Sequence, residues 1–303
     1  MIESKYKSKK TKKYTSKKTK KYTSILNYNH LFLKQERYAA YKIGKGYGYG
    51  TIKEEVKLCL KLLNIKPSIL LDIGANIGEY TQEVLKMFPK IDAFLFEPSS
   101  VNQSILHNKF KIFPNVKLID YALSNSNGKQ KLYFDKSGSR LASLAKRRLD
   151  HFNINMNNSE DIETRRFDDF WKTTEYKNDT IIDYVKIDVE GYELYVLEGF
   201  GELIYNMRII QFEFGGANID TRTFFQDFWY FFKEKGFSIF RITPIGIMPI
   251  IRYSEIDEFF SITNYIAVNN KFHNDKIIDN YKHKLPNLIN KNKKSKKNKK
   301  NKK

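Results

Sequence analysis

Two glycines four residues apart, Gly74 and Gly78, follow the apolar run Ile69-Leu70-Leu71 and the acid Asp72. This is the pattern of a buried strand turning into a nucleotide-binding loop. Glycine adopts the backbone angles of a tight turn and has no Cβ to hold off a ligand. The loop Gly74-Ala75-Asn76-Ile77-Gly78 is therefore expected to bring backbone N–H groups up to polar ligand atoms, with Asp72 as a charged acceptor at the strand tip. A second short apolar run, Ala93-Phe94-Leu95-Phe96, ends in Glu97 and is stopped by Pro98. Glu97 lies 25 residues after Asp72, close to the offset of about 20 residues at which an acid meets the ribose hydroxyls of a bound nucleotide. The dinucleotide pattern needs a third glycine, and here it is missing. The residues thus favour an adenosine-type ligand with free ribose hydroxyls and no phosphates.

Further along, Ile181 to Asp188 reads as a strongly apolar strand that again ends in an acid, followed at once by Val189-Glu190-Gly191-Tyr192-Glu193. Another strand, Arg208 to Phe214, delivers Glu213 to the same edge ahead of Gly215-Gly216. In open α/β sheets ligands sit beyond the carboxyl ends of the strands, so Asp188, Glu190 and Glu213 are expected to form an acidic rim across the cleft.

These segments carry a family resemblance. Asp72-x-Gly74-Ala75-Asn76-x-Gly78 with Phe96-Glu97-Pro98 is similar to the S-adenosylmethionine site of class I methyltransferases. Ala122-Leu-Ser-Asn-x-x-Gly128, Lys186 to Glu193 with Leu197-Glu-Gly199, and Gln211-Phe-Glu-Phe214 resemble the FkbM family in particular, over residues 68–269. The resemblance implies a doubly wound, Rossmann-like α/β fold, mostly parallel with an antiparallel edge strand, and S-adenosylmethionine held by Asp72, Gly74, Ala75, Asn76, Gly78 and Glu97. It also implies O-methylation of a hydroxyl on a sugar, glycan or other small acceptor. Methyl transfer from a sulfonium needs alignment of donor and acceptor and removal of the hydroxyl proton. Asp188 or Glu190 is the expected general base, with Glu213 orienting the acceptor. Two other roles stay open: the same three carboxylates could hold a divalent cation, or Glu190 could accept backbone N–H bonds at a helix start. None of the five His lies in a recognisable motif.

The elements that must position these groups follow from the hydrophobic pattern. Residues 52–64 and 79–88 read as helices before and after the first strand, residues 99–110 as the helix after the second, and residues 116–120 as the third strand. Right-handed crossovers put these three strands on one side of the sheet. Residues 130–134 read as a short local strand. From Asp135 to Glu163 the pattern dissolves into Ser, Arg and Asn, a stretch expected to lie over the ligand face or hang as a loop, with Arg140, Arg147 and Arg148 as candidates for gripping the acceptor. Phe167, Phe170 and Trp171 are expected in the core. Residues 221–235 read as one aromatic-rich helix covering the sheet, and residues 238–242, 246–253 and 261–268 as late strands, the last antiparallel at the edge. Gly44, Gly46, Gly48 and Gly50 alternate with Tyr47 and Tyr49, a loop into the fold or a lid over the pocket.

The formal net charge of +20 would suggest a nucleic-acid partner if it were spread over the fold. It is not. Residues 1–24 hold ten Lys against Glu3, residues 291–303 hold nine Lys and no acid, and the chain between them carries only +2. The first 24 residues repeat Tyr6-Lys-Ser-Lys-Lys-Thr-Lys-Lys13 as Tyr14-Thr-Ser-Lys-Lys-Thr-Lys-Lys21. Like charges at this density cannot pack. The expected organisation is a disordered Lys-rich arm (1–24), a helical and loop extension (25–67), the methyltransferase-like domain (68–270) and a Lys/Asn-rich disordered tail (271–303). The tails suit an acidic or nucleic-acid partner, and a non-catalytic adaptor built on them is the alternative function. A nucleic-acid methyltransferase ranks third, for want of the Asn/Asp-Pro-Pro-aromatic signature of base N-methylation. The single cysteine, Cys59, excludes an intramolecular disulfide and a Cys-based zinc site and sits in an apolar helical rhythm, so it is expected as a buried small hydrophobe. With no apolar run of 18 residues and no secretory signal pattern, the expected setting is intracellular, most simply cytoplasmic, with no membrane partner.

Overall fold

The strand that the glycine loop follows is the hub of the sheet. In a computed structural model, which describes residues 29–48 and 52–273, β1 (Ile69–Ile73) is buried along its whole length and pairs in parallel on both sides. Its neighbours are β2 (Asp92–Phe96), which continues to β3 (Val116–Ile119), and β7 (Ile182–Ile187), which continues to β8 (Met207–Phe214). The eight-stranded sheet is completed by β11 (Thr263–Asn269), β9 (Phe237–Thr243) and β10 (Gly246–Ile250), in the order β10-β9-β11-β8-β7-β1-β2-β3. Near-continuous Ile, Leu, Val and Phe in β1, β2, β7 and β8 reflects burial on both faces, as parallel sheets require.

The antiparallel edge is present, but it is β10. The segment expected there, β11, lies inside the sheet, antiparallel to both β8 and β9, and all seven of its residues are buried. The β9–β10 hairpin adds the outer strand.

Helices cover both faces. On one, α2 (Ile52–Leu63), α3 (Glu79–Met87) and α4 (Ser100–Phe110) bury Val56, Cys59, Leu62, Val84, Leu106 and Phe110 against Leu70, Leu95 and Ile209. On the other, α5 (Phe167–Trp171), α6 (Glu193–Gly199) and α8 (Phe225–Glu234) bury Phe167, Trp171, Val196, Phe228 and Phe232 against Phe94, Phe96 and Phe212. Phe228 stacks on Phe212 with ring centroids 5.2 Å apart. Each such side chain withdrawn from water contributes about 1.5–3 kcal/mol, so the aromatic content goes into sheet cover, as expected for Phe167 and Trp171. The helix expected over 221–235 starts later, as α8 at Phe225, and is preceded by a separate short helix, α7 (Ala217–Thr221), which ends where Arg222 turns left-handed at φ 59°. Of its aromatics Phe225, Phe228 and Phe232 are buried, while Phe224 and Tyr230 are exposed.

Between β3 and β7 a second, three-stranded sheet forms from β4 (Ala122–Leu123), β5 (Gly128–Phe134) and β6 (Asn158–Arg165). β6 falls partly in the stretch where no pattern was expected. Only Ile162 and Thr164 of its eight residues are buried, so its apolar signal is a single side chain. The expected local strand, by contrast, is β5.

The chain divides into two compact units, the second starting at Gly44. In the first, residues 29–42 form one largely exposed helix, α1. In the second, the Gly-rich approach is anchored: Gly46 N–H donates to Thr263 Oγ1 at 2.9 Å and Gly48 N–H to Ile262 O at 3.0 Å. Tyr47 packs in the α2–α3 core. Tyr49 and Gly50, the Lys-rich arm 1–24, and the 271–303 tail beyond its first three residues lie outside the described residues.

Candidate active site

At the carboxyl ends of β1, β2, β7 and β8 lies a cavity of about 430 Å³. Asp72, Gly74, Ala75, Asn76, Glu97, Asp188, Glu190 and Glu213 all line it, so the parallel strands bring together all but one of the expected site residues. Gly78 is the exception. Its N–H donates to Ala75 O at 2.7 Å and a Cβ there would lie 2.4 Å from the Phe110 ring. Gly78 closes the turn and lets α3 and α4 meet instead of admitting a ligand.

Gly74 has φ +79°, and a Cβ on it would fall 1.9 Å from Asp188 O. The loops after β1 and β7 therefore touch backbone to backbone, and Asp188 N–H donates to Ile73 O at 2.9 Å. Gly74 and Ala75 N–H both donate to Phe96 O, tying the loop to the end of β2. There Glu97 is pinned through both oxygens: Oε2 accepts from Asn76 N–H at 2.8 Å and Oε1 from Ser99 N–H at 3.0 Å. Burial nevertheless raises its pKa. Each carboxylate oxygen has two lone pairs, and the one further donor, Asn102 Nδ2, stands off at 3.5 Å from Oε1, so the pinned oxygens keep acceptor capacity on the cavity side. Asp72 is buried, accepts from Thr81 Oγ1 at 2.5 Å and is pushed by burial up to about 6. With Phe96, Pro98 and Leu123 as apolar walls, these residues fit an adenine nucleoside.

The acidic rim is differentiated by its partners. Asp188 is ion-paired to Lys186 Nζ at 3.2 Å, a buried cation that also lies over the Tyr80 ring. Glu190, at φ 53°, is ion-paired to Arg147, which Asp220 flanks at 3.9 Å. Burial drives Glu190 up to about 8, and the Asp188 and Glu193 charges add to it, against the pull of Arg147. The Glu213 carboxylate, which lines the cavity, accepts no hydrogen bond from any described residue. Burial first, then the charges of Asp188 and Glu190, hold its pKa well above the ordinary value. Among the described residues no three His, Cys, Asp or Glu side chains converge as a metal-binding set.

Glu193, and not Glu190, is the acid that accepts backbone N–H bonds ahead of α6: it is buried, and its Oε1 accepts from Val189 and Gly191 N–H of the preceding loop, both at 3.1 Å. Burial raises its pKa from 4.5 to about 7. A carboxyl whose folded pKa lies above its unfolded value stabilises the fold fully below the unfolded pKa and loses that contribution as pH rises through the folded pKa. The ligand-free protein is therefore expected to lose melting temperature between pH 5 and 7.5. Glu193→Gln, uncharged at both ends of that range, should show a measurably shallower slope in a thermal-unfolding series. An identical slope would remove Glu193 from the account.

Of the arginines expected to grip an acceptor, Arg140 lines the cavity and pairs with Glu79 at 2.8 Å, Arg147 serves Glu190, and Arg148 is exposed. Sequence reasoning missed a buried polar group under the cavity. Glu55 of α2 accepts from Gln211 Nε2 at 2.6 Å and from Asn264 Nδ2 at 3.0 Å, and Gln211 Oε1 accepts from Tyr80, Tyr184 and Cys59. Cys59 is pushed by burial up to about 12, so the lone thiol is a neutral donor, as its apolar setting implied.

Comparison with known proteins places this arrangement. A family model described as "Methyltransferase FkbM domain" matches residues 72–239, more than half of the chain. The 2-O-methyltransferase NoeI of Sinorhizobium fredii is 26% identical over 171 residues, 53% of this chain and 68% of that protein. The methyltransferase sdnD of Sordaria araneosa is 27% identical over 213 residues, 60% of this chain and 79% of that protein. Among solved structures, the methyltransferase FkbM of Methylobacillus flagellatus aligns at 14% identity with a TM-score of 0.39, covering 66% of this chain and 43% of that one.

Proposed function

We propose that this chain, which belongs to the FkbM methyltransferase family, is an S-adenosylmethionine-dependent O-methyltransferase that acts on a hydroxyl of a sugar, glycan or other small polyol. One observation carries the acceptor chemistry: Glu213 is the rim carboxylate that neither a cation nor a hydrogen bond occupies directly. The name of the NoeI relative, a 2-O-methyltransferase, supports oxygen as the methylated atom.

When bound, S-adenosylmethionine supplies an electrophilic methyl group on a sulfonium. In this reading Glu97 holds the ribose hydroxyls, Asn76 and Ser99 keep its carboxylate aimed, and the Gly74–Asn76 backbone and Asp72 flank the rest of the donor. Gly78 supports that loop from behind. Asp188 and Glu190, expected as bases, are each ion-paired, to Lys186 and Arg147, so their carboxylates are already engaged. Glu213 is free to take the acceptor proton at its carboxylate oxygen while the other two set the field around it. Burial and the neighbouring charges raise the Glu213 pKa, and a carboxylate with a raised pKa is a stronger base than an ordinary one. Among the described residues no helix is long and apolar enough to cross a membrane.

The test is transfer of labelled methyl from S-adenosylmethionine by the purified chain to a library of polyols and glycosides. Label is expected as an alkali-stable methyl ether. Label recovered on nitrogen, or as a base-labile ester, would contradict the hydroxyl reading.

A further inference from the structure

We propose that Asn264 is a specificity-determining residue that requires the acceptor to carry a second hydroxyl next to the one methylated; this rests on the O-methyl transfer reading above. Asn264 on β11 is paired directly with Glu213 on β8. Cross-strand partners lie on one face of the sheet with Cβ atoms about 5 Å apart, and both residues line the cavity. The proton acceptor and Asn264 are thus adjacent on the cavity floor.

Asn264 is 4% exposed, and its two amide ends are unequal. Nδ2 donates to Glu55 Oε1 at 3.0 Å, whereas Oδ1 is buried with no donor. The orientation is dictated by the neighbours, since reversing the amide would set its oxygen against the Glu55 carboxylate and forfeit that bond. Glu55 cannot turn away without giving up Gln211 Nε2 at 2.6 Å. Gln211 cannot flip either, because its oxygen accepts from Tyr80 and Tyr184. The network therefore holds one unpaired acceptor oxygen beside Glu213.

A buried acceptor without a donor is costly, and a ligand that supplies the donor is favoured over one that does not by about 10- to 100-fold. An isolated alcohol satisfies Glu213 alone. A vicinal diol satisfies Glu213 with the reacting hydroxyl and Asn264 Oδ1 with its neighbour. Glu55 and Asn264 both lie outside the family-matched segment 72–239.

The experiment measures kcat/KM of the full chain with S-adenosylmethionine for methyl glycosides of fucose, mannose and glucose and for their 2-deoxy and 3-deoxy counterparts. Binding of S-adenosylhomocysteine is titrated in parallel. At least a 10-fold preference for the intact diol is expected. Asn264→Ala should bring the ratio within about twofold of one without changing S-adenosylhomocysteine affinity by more than about twofold. Asn264→Val, which suits a strand and offers no acceptor, should do the same if the alanine variant fails to fold. Equal rates for a glycoside and its deoxy partner would overturn the proposal, as would a preference that survives both substitutions. Transfer to none of the glycosides by a protein that binds S-adenosylhomocysteine would overturn this acceptor assignment and leave the donor site standing. Failure to bind S-adenosylhomocysteine would overturn the donor reading and this proposal with it.

Discussion

Glu213→Gln is expected to lower kcat by about 10²–10⁴, the usual contribution of a positioned general base, while leaving the affinity for S-adenosylhomocysteine nearly unchanged. The two carboxylates on either side are committed to Lys186 and Arg147, so no neighbouring group is free to substitute. The wild-type pH profile follows from the same arrangement. Burial and the Asp188 and Glu190 charges raise the Glu213 pKa, and a base acts only when deprotonated. Activity should therefore fall on the acid side, with an apparent midpoint above the ordinary Glu value of 4.5. Because Glu190 is also raised, to about 8, the midpoint belongs to the carboxylate group as a whole. A Glu213→Gln enzyme that keeps more than a tenth of wild-type kcat, or a wild-type acid limb near pH 4.5, would contradict the assignment.

Glu97→Ala is expected to weaken S-adenosylhomocysteine binding by at least about 100-fold. Two hydroxyls donating to one carboxylate are charge-assisted bonds of about 1.5–3 kcal/mol each. The substitution also releases Asn76 and Ser99 N–H, which now hold the carboxylate in place, so the loop that flanks the donor loses its tie to β2. Calorimetric titration reports the affinity, and a melting curve separates it from unfolding. An unchanged dissociation constant would show that Glu97 faces no ligand hydroxyl.

How much of this was legible in the sequence depends on how local each cause is. β1, β2, β7 and β8 announce themselves because strands buried on both faces are written as continuous apolar runs. The acids at their tips were readable for the same reason. β6 was not, since only Ile162 and Thr164 turn inward and its charged residues resemble a loop. The break before α8 rests on Arg222 at positive φ, where no glycine flags the turn. Which acid ties the loop ahead of α6 depends on the left-handed backbone of Glu190, which leaves Glu193 to accept the Val189 and Gly191 N–H groups. Glu55 was invisible because its partners, Gln211 and Asn264, lie 156 and 209 residues away. In the sequence Glu55 is one of two adjacent acids, Glu54-Glu55, at the start of an amphipathic helix, and nothing local distinguishes the buried one.

If the strand ends hold an adenosine sulfonium beside an unpaired carboxylate, calorimetric titration of the full chain with S-adenosylhomocysteine will show it. One site per chain is expected, saturable in the micromolar range, with a rise in melting temperature that follows ligand concentration. No heat and no shift in melting temperature at millimolar ligand would contradict it.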